Sequence, residues 1–246
     1  EIEPEIGCPL FTYLRQKTEK ELGMGRIMRF NSPISMVICL TILFTPLPGL
    51  PQPNKVDEPD YLSPLEKAVV NEMNLARTSP EEYLSLLEQF KKYYDGKLLK
   101  LPGGTPILTK EGTSAVVEAT RSLRSQKPVS PLSPSKGMTL GAQDHLRDLR
   151  TSGASEHKGS DGSQTWDRVN RYGTWQKIIG ENISFGHTKA RNIVMTLMID
   201  DGVPNRGHRK NIFNPDFRLA GVACGDHPVY RTICVITFAG GYREKD

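Results

Sequence analysis

The chain has 246 residues, of which 37% are hydrophobic, with 32 lysines and arginines against 28 aspartates and glutamates. This length and composition suit one large domain or two small ones with a real core, and they exclude a disordered chain. The net charge of +4 is too small to indicate nucleic-acid binding, and four cysteines without a CxxC pair exclude a disulfide-dense miniprotein, a zinc ribbon and a thioredoxin-like centre.

The first fifty residues have the pattern of an export signal. Arg26 and Arg29 precede an uncharged run at residues 34–44, and prolines follow it. This order is typical of a secretory signal peptide, and the run is shorter than the roughly 18 to 20 residues of a membrane-spanning helix. Because no small-residue cleavage motif is present, a short uncleaved anchor is the alternative. We therefore expect four segments: an upstream or non-native stretch at 1–23, the signal or anchor at 24–50, a proline-rich linker at 51–60 and a folded domain at 61–246.

Most of the folded domain has the periodicity of amphipathic helices. Ser63 and Glu66 form a capping-box pattern with Pro64 at the first helical position, and Ser79-Pro80 repeats this pattern before a second helix that ends near Asp95-Gly96. Apolar residues at helical spacing predict four more helices, near residues 110–125, 135–151, 166–171 and 190–201.

The last forty residues have the pattern of β-strands. Residues 219–224 and 230–239 are apolar runs separated by a turn, and both faces of the second run are apolar. A strand with two apolar faces is expected at the centre of a sheet that helices cover on both sides. Helices first and strands last predict a three-layer α/β/α or α+β domain rather than an alternating βαβ fold. If the chain is exported, Cys224 and Cys234 on these strands are expected to form a disulfide, with two buried thiols as the alternative.

Two of the five histidines lie in polar, glycine-flanked segments. These are His157 and His208, and Glu181 lies between them in another polar interruption. Imidazoles and carboxylates of this kind hold a divalent ion such as zinc, or they form a general acid–base cluster. The sequence separations carry no geometric information, so both interpretations stay open.

The other three histidines have ordinary settings. His145 lies on the apolar face of the fourth predicted helix and is expected to be a hydrogen-bonded core residue. His187 and His227 lie in turn-like segments and are expected at the surface.

Two acidic residues end the helix at 190–201. Asp200 and Asp201 lie at its negative end, which is unfavourable by about 0.3 to 1 kcal/mol for each carboxylate. A nearby cation would offset this cost: Arg206, Arg209, a protonated His208 or a metal ion. The alternative is that both carboxylates are simply solvated.

Six motifs in this order resemble the CAP superfamily, which includes cysteine-rich secretory proteins, venom antigens and plant pathogenesis-related proteins. They are Glu156-His157 with Asp161-Gly162, Asp167-Arg168, Gly180-Glu181-Asn182-Ile183, the segment from Arg206 to Pro215, Gly221-Val222 and Thr237-Phe238-Ala239. The resemblance implies an α/β/α sandwich with a mostly antiparallel central sheet. It also implies a cleft with two histidines and two acids that binds zinc or another divalent cation in some members.

By motif, His157 and His208 match the two histidines of the family and Glu181 matches the first acid. Asp200 matches the second acid, where the family usually has glutamate, and Leu197 takes the place of a tryptophan. Aspartate is one methylene shorter than the family's glutamate, so its reach to a shared ion differs. The neighbouring Asp201 is therefore an alternative to Asp200 at this position.

The resemblance leads to two functional hypotheses. The first is a secreted module whose cleft binds a lipid or sterol, an extracellular protein partner or a divalent metal without fast catalysis, with no nucleic acid as partner. In this hypothesis the protein meets a membrane only through an uncleaved N-terminal segment. The alternative is a metal-dependent hydrolase or peptidase in which His157 and His208 hold the ion and Glu181 is the general base.

Overall fold

The computed structural model describes residues 59–245, which form one compact unit. The predictions for the upstream stretch, the signal or anchor and most of the linker lie outside the described residues. No helix within 59–245 is long and apolar enough to cross a membrane. The helices are α1 (Pro64–Thr78), α2 (Pro80–Phe90), α3 (Thr113–Arg124), α4 (Lys136–Ser152), α5 (Thr165–Asn170), α6 (Ala190–Ile199) and α7 (Gly207–Phe213). The strands are β1 (Tyr94–Asp95), β2 (Leu98–Leu99), β3 (Ile107–Leu108), β4 (Ser133–Pro134), β5 (Gly173–Phe185), β6 (Leu219–His227) and β7 (Arg231–Glu244).

The first two helices begin at the predicted residues but differ in their caps. The Ser63 hydroxyl accepts a hydrogen bond from the Glu66 N–H, and the Glu66 carboxylate accepts one from the Ser63 N–H, so this capping box is confirmed. Ser79 makes no such side-chain bond. Helix α2 also ends at Phe90, earlier than predicted, because residues 94–95 pair with 98–99 in a hairpin that turns at Gly96.

Four strands form the main sheet in the order β4-β6-β7-β5. Strand β4 is parallel to β6, and the other pairs are antiparallel, so the sheet is mostly antiparallel as predicted. Strand β7 lies between β6 and β5, which confirms its predicted central position. Strand β5, along the edge, was not predicted as a strand.

Helices pack on both faces of this sheet. Val222, Ile236 and Phe238 join the largest group of buried apolar residues, to which α1, α2, α3, α6 and α7 also contribute. Their neighbours Ala223 and Val235 point the other way, against α4. The mixed α/β fold class is therefore confirmed, and the two buried layers are referred to below as the main core and the α4-side core.

A disulfide joins the last two strands of the chain. Cys224 and Cys234 are register partners on β6 and β7, and their sulfurs are bonded. The predicted disulfide is therefore confirmed. The Cys224 N–H donates to the Glu66 carboxylate, which ties the start of α1 to the same strand.

Candidate functional site

The fold brings together four residues that are far apart in the sequence, called here the His/acid cluster: His157, Glu181, Asp200 and His208. His157 lies in the loop after α4, and Glu181 lies on β5 opposite Thr237 of the central strand. Asp200 is the residue that ends α6, in a left-handed conformation, and His208 is in the first turn of α7. Strand β5 therefore supplies Glu181, and a loop, the end of α6 and the start of α7 supply the other three residues.

A buried carboxylate holds the first histidine. Glu181 Oε1 lies 2.9 Å from His157 Nδ1, and the other carboxylate oxygen accepts a 2.9 Å bond from Arg168. Arg168 and Glu181 are almost entirely buried, whereas about half of the His157 side chain is exposed. Arg168 also donates to the main-chain carbonyls of His157 and Ser163, so one guanidinium fixes both the acid and the loop that carries the histidine.

The environment of Glu181 favours its ionised form. Burial raises the pKa of Glu181, but the hydrogen bond from His157 and the positive charge of Arg168 outweigh it and hold the pKa below its usual range. His145 Nε2 lies 3.8 Å from the same carboxylate. His145 is fully buried with Nε2 2.9 Å from the Glu156 carbonyl oxygen, and burial lowers its pKa, as befits the hydrogen-bonded core residue expected from the sequence.

A second buried carboxylate holds the second histidine. Asp200 Oδ1 lies 2.6 Å from His208 Nδ1, and Oδ2 accepts from the His208 and Arg209 N–H groups. The Asp200 carboxylate thus faces the positive end of α7. Arg206 donates to the Asp200 carbonyl oxygen at the end of α6. Protein cations and N–H groups therefore meet the electrostatic need at this helix end.

The structure separates the two competing aspartates. Asp201 points away from the histidines and accepts three backbone hydrogen bonds of 2.6 to 2.8 Å from residues 110–112. Of the two carboxylates, it is therefore Asp200 that the fold places beside His208.

Both imidazole rings contact a carboxylate through Nδ1 and, within the described residues, leave the Nε2 edge free. Because a carboxylate oxygen only accepts, each Nδ1 carries the proton of its hydrogen bond, and neither Nε2 atom has a hydrogen-bond partner among residues 59–245. The ring centroids are 6.5 Å apart. Within residues 59–245, no group of three or more His, Cys, Asp or Glu side chains is arranged to hold a metal ion.

The sequence did not assign a role to Arg168. It belongs to the quoted Asp167-Arg168 motif, and an arginine that follows a polar, glycine-rich loop was the available signal for a buried pair with Glu181.

The expectation of surface positions for His187 and His227 was wrong, because their exposed fractions are 9% and 3%. His227 Nδ1 accepts from the Val229 and Tyr230 N–H groups and so organises the turn between β6 and β7.

Comparison with known proteins adds a family assignment. Residues 117–238 match the model of the CAP family, described as the cysteine-rich secretory protein family. The chain belongs to the CAP superfamily. The matched segment runs from α3 into β7 and contains all four residues of the His/acid cluster.

The individual relatives of this CAP protein are distant. An uncharacterised protein of Bacillus subtilis (strain 168), YkwD, is 29% identical over 107 residues, which are 44% of this chain and 40% of that protein. The chain thus spans less than half the length of this curated relative.

Three solved structures are similar at low identity. An extracellular protein with an SCP domain from Bacillus anthracis is 18% identical, with a TM-score of 0.38 over 52% of this chain and 37% of that one. An outer surface protein of Borrelia burgdorferi is 17% identical, with a TM-score of 0.39 over 54% and 89%. A cysteine-rich secretory protein of Staphylococcus aureus is 14% identical, with a TM-score of 0.34 over 56% and 42%.

Proposed function

We propose that this chain is a secreted CAP-domain protein whose His/acid cluster binds a ligand through two histidines, without fast catalysis. Two observations support export: the signal-like segment at residues 24–50, and the disulfide between Cys224 and Cys234, which suits an oxidising compartment.

The observation that carries the binding proposal is the anchoring of both imidazoles through Nδ1. A histidine held in this way by a carboxylate has a fixed tautomer and ring orientation, and its Nε2 lone pair is directed at a ligand. His157 and His208 are held by Glu181 and Asp200 at 2.9 and 2.6 Å. These side chains are therefore ordered before a ligand binds, and this lowers the entropic cost of binding.

A divalent cation such as zinc fits the chemistry of these donors. Zinc–nitrogen bonds of about 2.0 Å place two imidazole centroids on one tetrahedral ion about 5 Å apart. The centroids here are 6.5 Å apart, so the rings have to approach each other to share an ion. His157 and His208 would hold the ion, which would act there as a Lewis acid toward a bound group. Glu181 and Asp200 would orient the two rings.

The contacts of Glu181 argue against the hydrolase alternative. A general base at neutral pH needs a pKa near 7 and an oxygen that reaches the substrate. The Glu181 pKa is held below its usual range, and both carboxylate oxygens are occupied by His157 and Arg168. These features suit a carboxylate that positions a histidine, so we propose binding and not turnover.

The test is a calorimetric zinc titration of the full chain near pH 7. We expect one-to-one binding that is lost in the double variant His157→Ala/His208→Ala. Two aspartate variants form a matched pair: Asp200→Asn should weaken zinc binding 10- to 100-fold, because it loosens the orientation of His208, and Asp201→Asn should leave it unchanged.

Absence of zinc binding by the wild-type protein would refute the metal assignment. Equal weakening by Asp200→Asn and Asp201→Asn would refute the role given to the Asp200–His208 pair. If the wild-type protein does not bind zinc, the next assays are binding of sterols and fatty acids and capture of an extracellular protein partner. Each assay uses the double histidine variant as control.

A further inference from the structure

A second concave region lies away from the His/acid cluster, at the start of α6. It is a pocket of about 470 Å³ between the loop at residues 101–104 and the loop at residues 186–189. The side chains that give it chemical character are His187, Thr188, Lys189 and Asn192, and Gly103 and Gly104 lie opposite them. None of the lining residues is acidic, and none belongs to the His/acid cluster.

The helix that opens into this pocket has no cap. Lys189 occupies the N-cap position of α6 without a side-chain cap bond, and no acidic residue lies in the first turn. The first helical bond runs from the Ile193 N–H to the Lys189 carbonyl. The N–H groups of Ala190, Arg191 and Asn192 have no acceptor among residues 59–245. Serine, threonine, aspartate or asparagine usually fills this position, and these N–H groups carry the positive end of the helix dipole.

A buried histidine is the independent sign of a ligand. His187 is only 9% exposed and lines the pocket, yet no described residue forms a hydrogen bond with either ring nitrogen. Burial lowers the pKa of His187, so the ring is neutral near pH 7 and has one N–H to donate. Since His187 lines the pocket, a ligand there would give this ring an acceptor that the described residues do not supply.

The donors converge on a single type of ligand. Among the lining residues, the Asn192 N–H, the Thr188 hydroxyl, the Lys189 ammonium and the His187 ring are donors, and the N–H groups of Ala190 and Arg191 belong to the same first turn of α6. Lys189 forms no ion pair within the described chain. A phosphate group has three terminal oxygens, each accepting about two hydrogen bonds, and a charge of about −1.5 to −2 at pH 7. A carboxylate has about four acceptor sites and a single charge.

We propose that this pocket binds the phosphoryl group of a phosphate ester at the N-terminus of α6. Helix N-termini with free N–H groups are established anion sites, and the glycines opposite permit close approach of the ligand. The volume exceeds the needs of one phosphate group, so an organic group attached to it also fits. Both a soluble phosphate ester and a phospholipid headgroup present this chemistry.

The test is an NMR and calorimetric titration of the full chain with inorganic phosphate, with sodium chloride at matched ionic strength as reference. We expect saturable one-to-one binding that shifts the amide resonances of Ala190, Arg191 and Asn192. Lys189→Gln should weaken binding at least fivefold. Lys127→Gln, which removes one exposed lysine charge elsewhere, should change it less than twofold.

The variant Ala190→Pro tests the helix terminus itself. Proline is favoured at the first helical position, and the extended conformation of Lys189 (φ −114°, ψ 130°) suits a residue before proline, so the fold should persist. The variant removes one main-chain donor and should weaken phosphate binding at least threefold while the circular dichroism spectrum is unchanged.

Failure of phosphate to saturate the wild-type protein would refute the proposal. So would unchanged affinity in Lys189→Gln together with Ala190→Pro. Two further arms identify the source of the phosphate. Binding to phosphatidylcholine vesicles doped with phosphatidic acid, displaced by free phosphate, assigns a lipid headgroup, and tight binding of glycerol 3-phosphate without vesicle binding assigns a soluble ester.

Discussion

Arg77 is a fully buried arginine whose guanidinium bonds to main-chain carbonyl groups. Four hydrogen bonds run from it to the carbonyl oxygens of Ser130, Ile212, Asn214 and Phe217. Burial and the charge of Arg218 lower its pKa to about 10, so it remains charged at neutral pH. The variant Arg77→Met should reduce the free energy of unfolding by about 3 to 5 kcal/mol, because it leaves buried carbonyl groups without donors. Urea unfolding measures this loss.

Two further variants separate hydrogen bonding from bulk and charge. Arg77→Lys keeps the charge but has a single donor centre, so its unfolding free energy should lie between those of Arg77→Met and the wild type. Arg121→Met replaces an exposed arginine of α3 and should change little. A small effect of Arg77→Met, comparable to that of Arg121→Met, would contradict the structural role assigned to these four bonds.

The sequence identified His157, Glu181, Asp200 and His208 through ordered motifs, because such motifs preserve residues that meet in space. It did not place His187 or His227, whose burial depends on how loops fold over them. The role of Arg77 could not be predicted either. Its acceptors are main-chain carbonyl groups, which every residue has, so no pattern of side chains indicates them. Side-chain identity predicts contacts between side chains better than contacts with the backbone.

At the scale of elements, Asp201 holds the segment that leads into a helix distant in the sequence. Helix α3 begins after Gly112, and the Asp201 carboxylate accepts the N–H groups of Lys110, Glu111 and Gly112, just before the helix. Asp201→Ala should lower the free energy of unfolding by about 1 to 2 kcal/mol, because it leaves these N–H groups without their charged acceptor. Chemical denaturation monitored by circular dichroism measures the change.

The matched control is Asp95→Ala, which removes an exposed aspartate whose carboxylate bonds to Lys100 and to no other residue of 59–245. Surface pairs of this kind contribute little, so its denaturation midpoint should equal that of the wild type. If both variants lower the midpoint equally, the loss in Asp201→Ala reflects removal of a charge and not of these three hydrogen bonds.

Strand β5 shows why one long element was missed. Its alternation is interrupted between Gln176 and Ile179, where the register with β7 shifts and Lys177 adopts a positive φ of 70°. A bulge inserts an extra residue, so side chains after it lie on the opposite face from the one that strict alternation predicts. The alternation of apolar and polar residues is therefore lost across the bulge. Helices α1 to α6 and the last two strands keep an unbroken period and were predicted from it, whereas the short helix α7 and the two-residue strands β1 to β4 were not predicted.

At the scale of the whole molecule, strand β7 connects the main core and the α4-side core. Its residues alternate between them, so Ile236 faces the main core and Val235 faces α4. If the two cores unfold as one cooperative unit, a cavity in either should weaken both. The chain has two tryptophans, Trp166 on α5 and Trp175 on β5. Trp175 packs with residues of α4 and α5, on the side opposite Ile236.

The variant Ile236→Ala tests this cooperativity. Deletion of buried methyl groups should lower the free energy of unfolding by about 2 to 5 kcal/mol. We expect the urea midpoints from tryptophan fluorescence and far-ultraviolet circular dichroism to fall together, because the sheet transmits the loss to the far side. Val117→Ala, at a side chain that is 40% exposed, is the control and should leave both midpoints unchanged. A lower midpoint by circular dichroism with unchanged fluorescence would show instead that the two cores unfold separately.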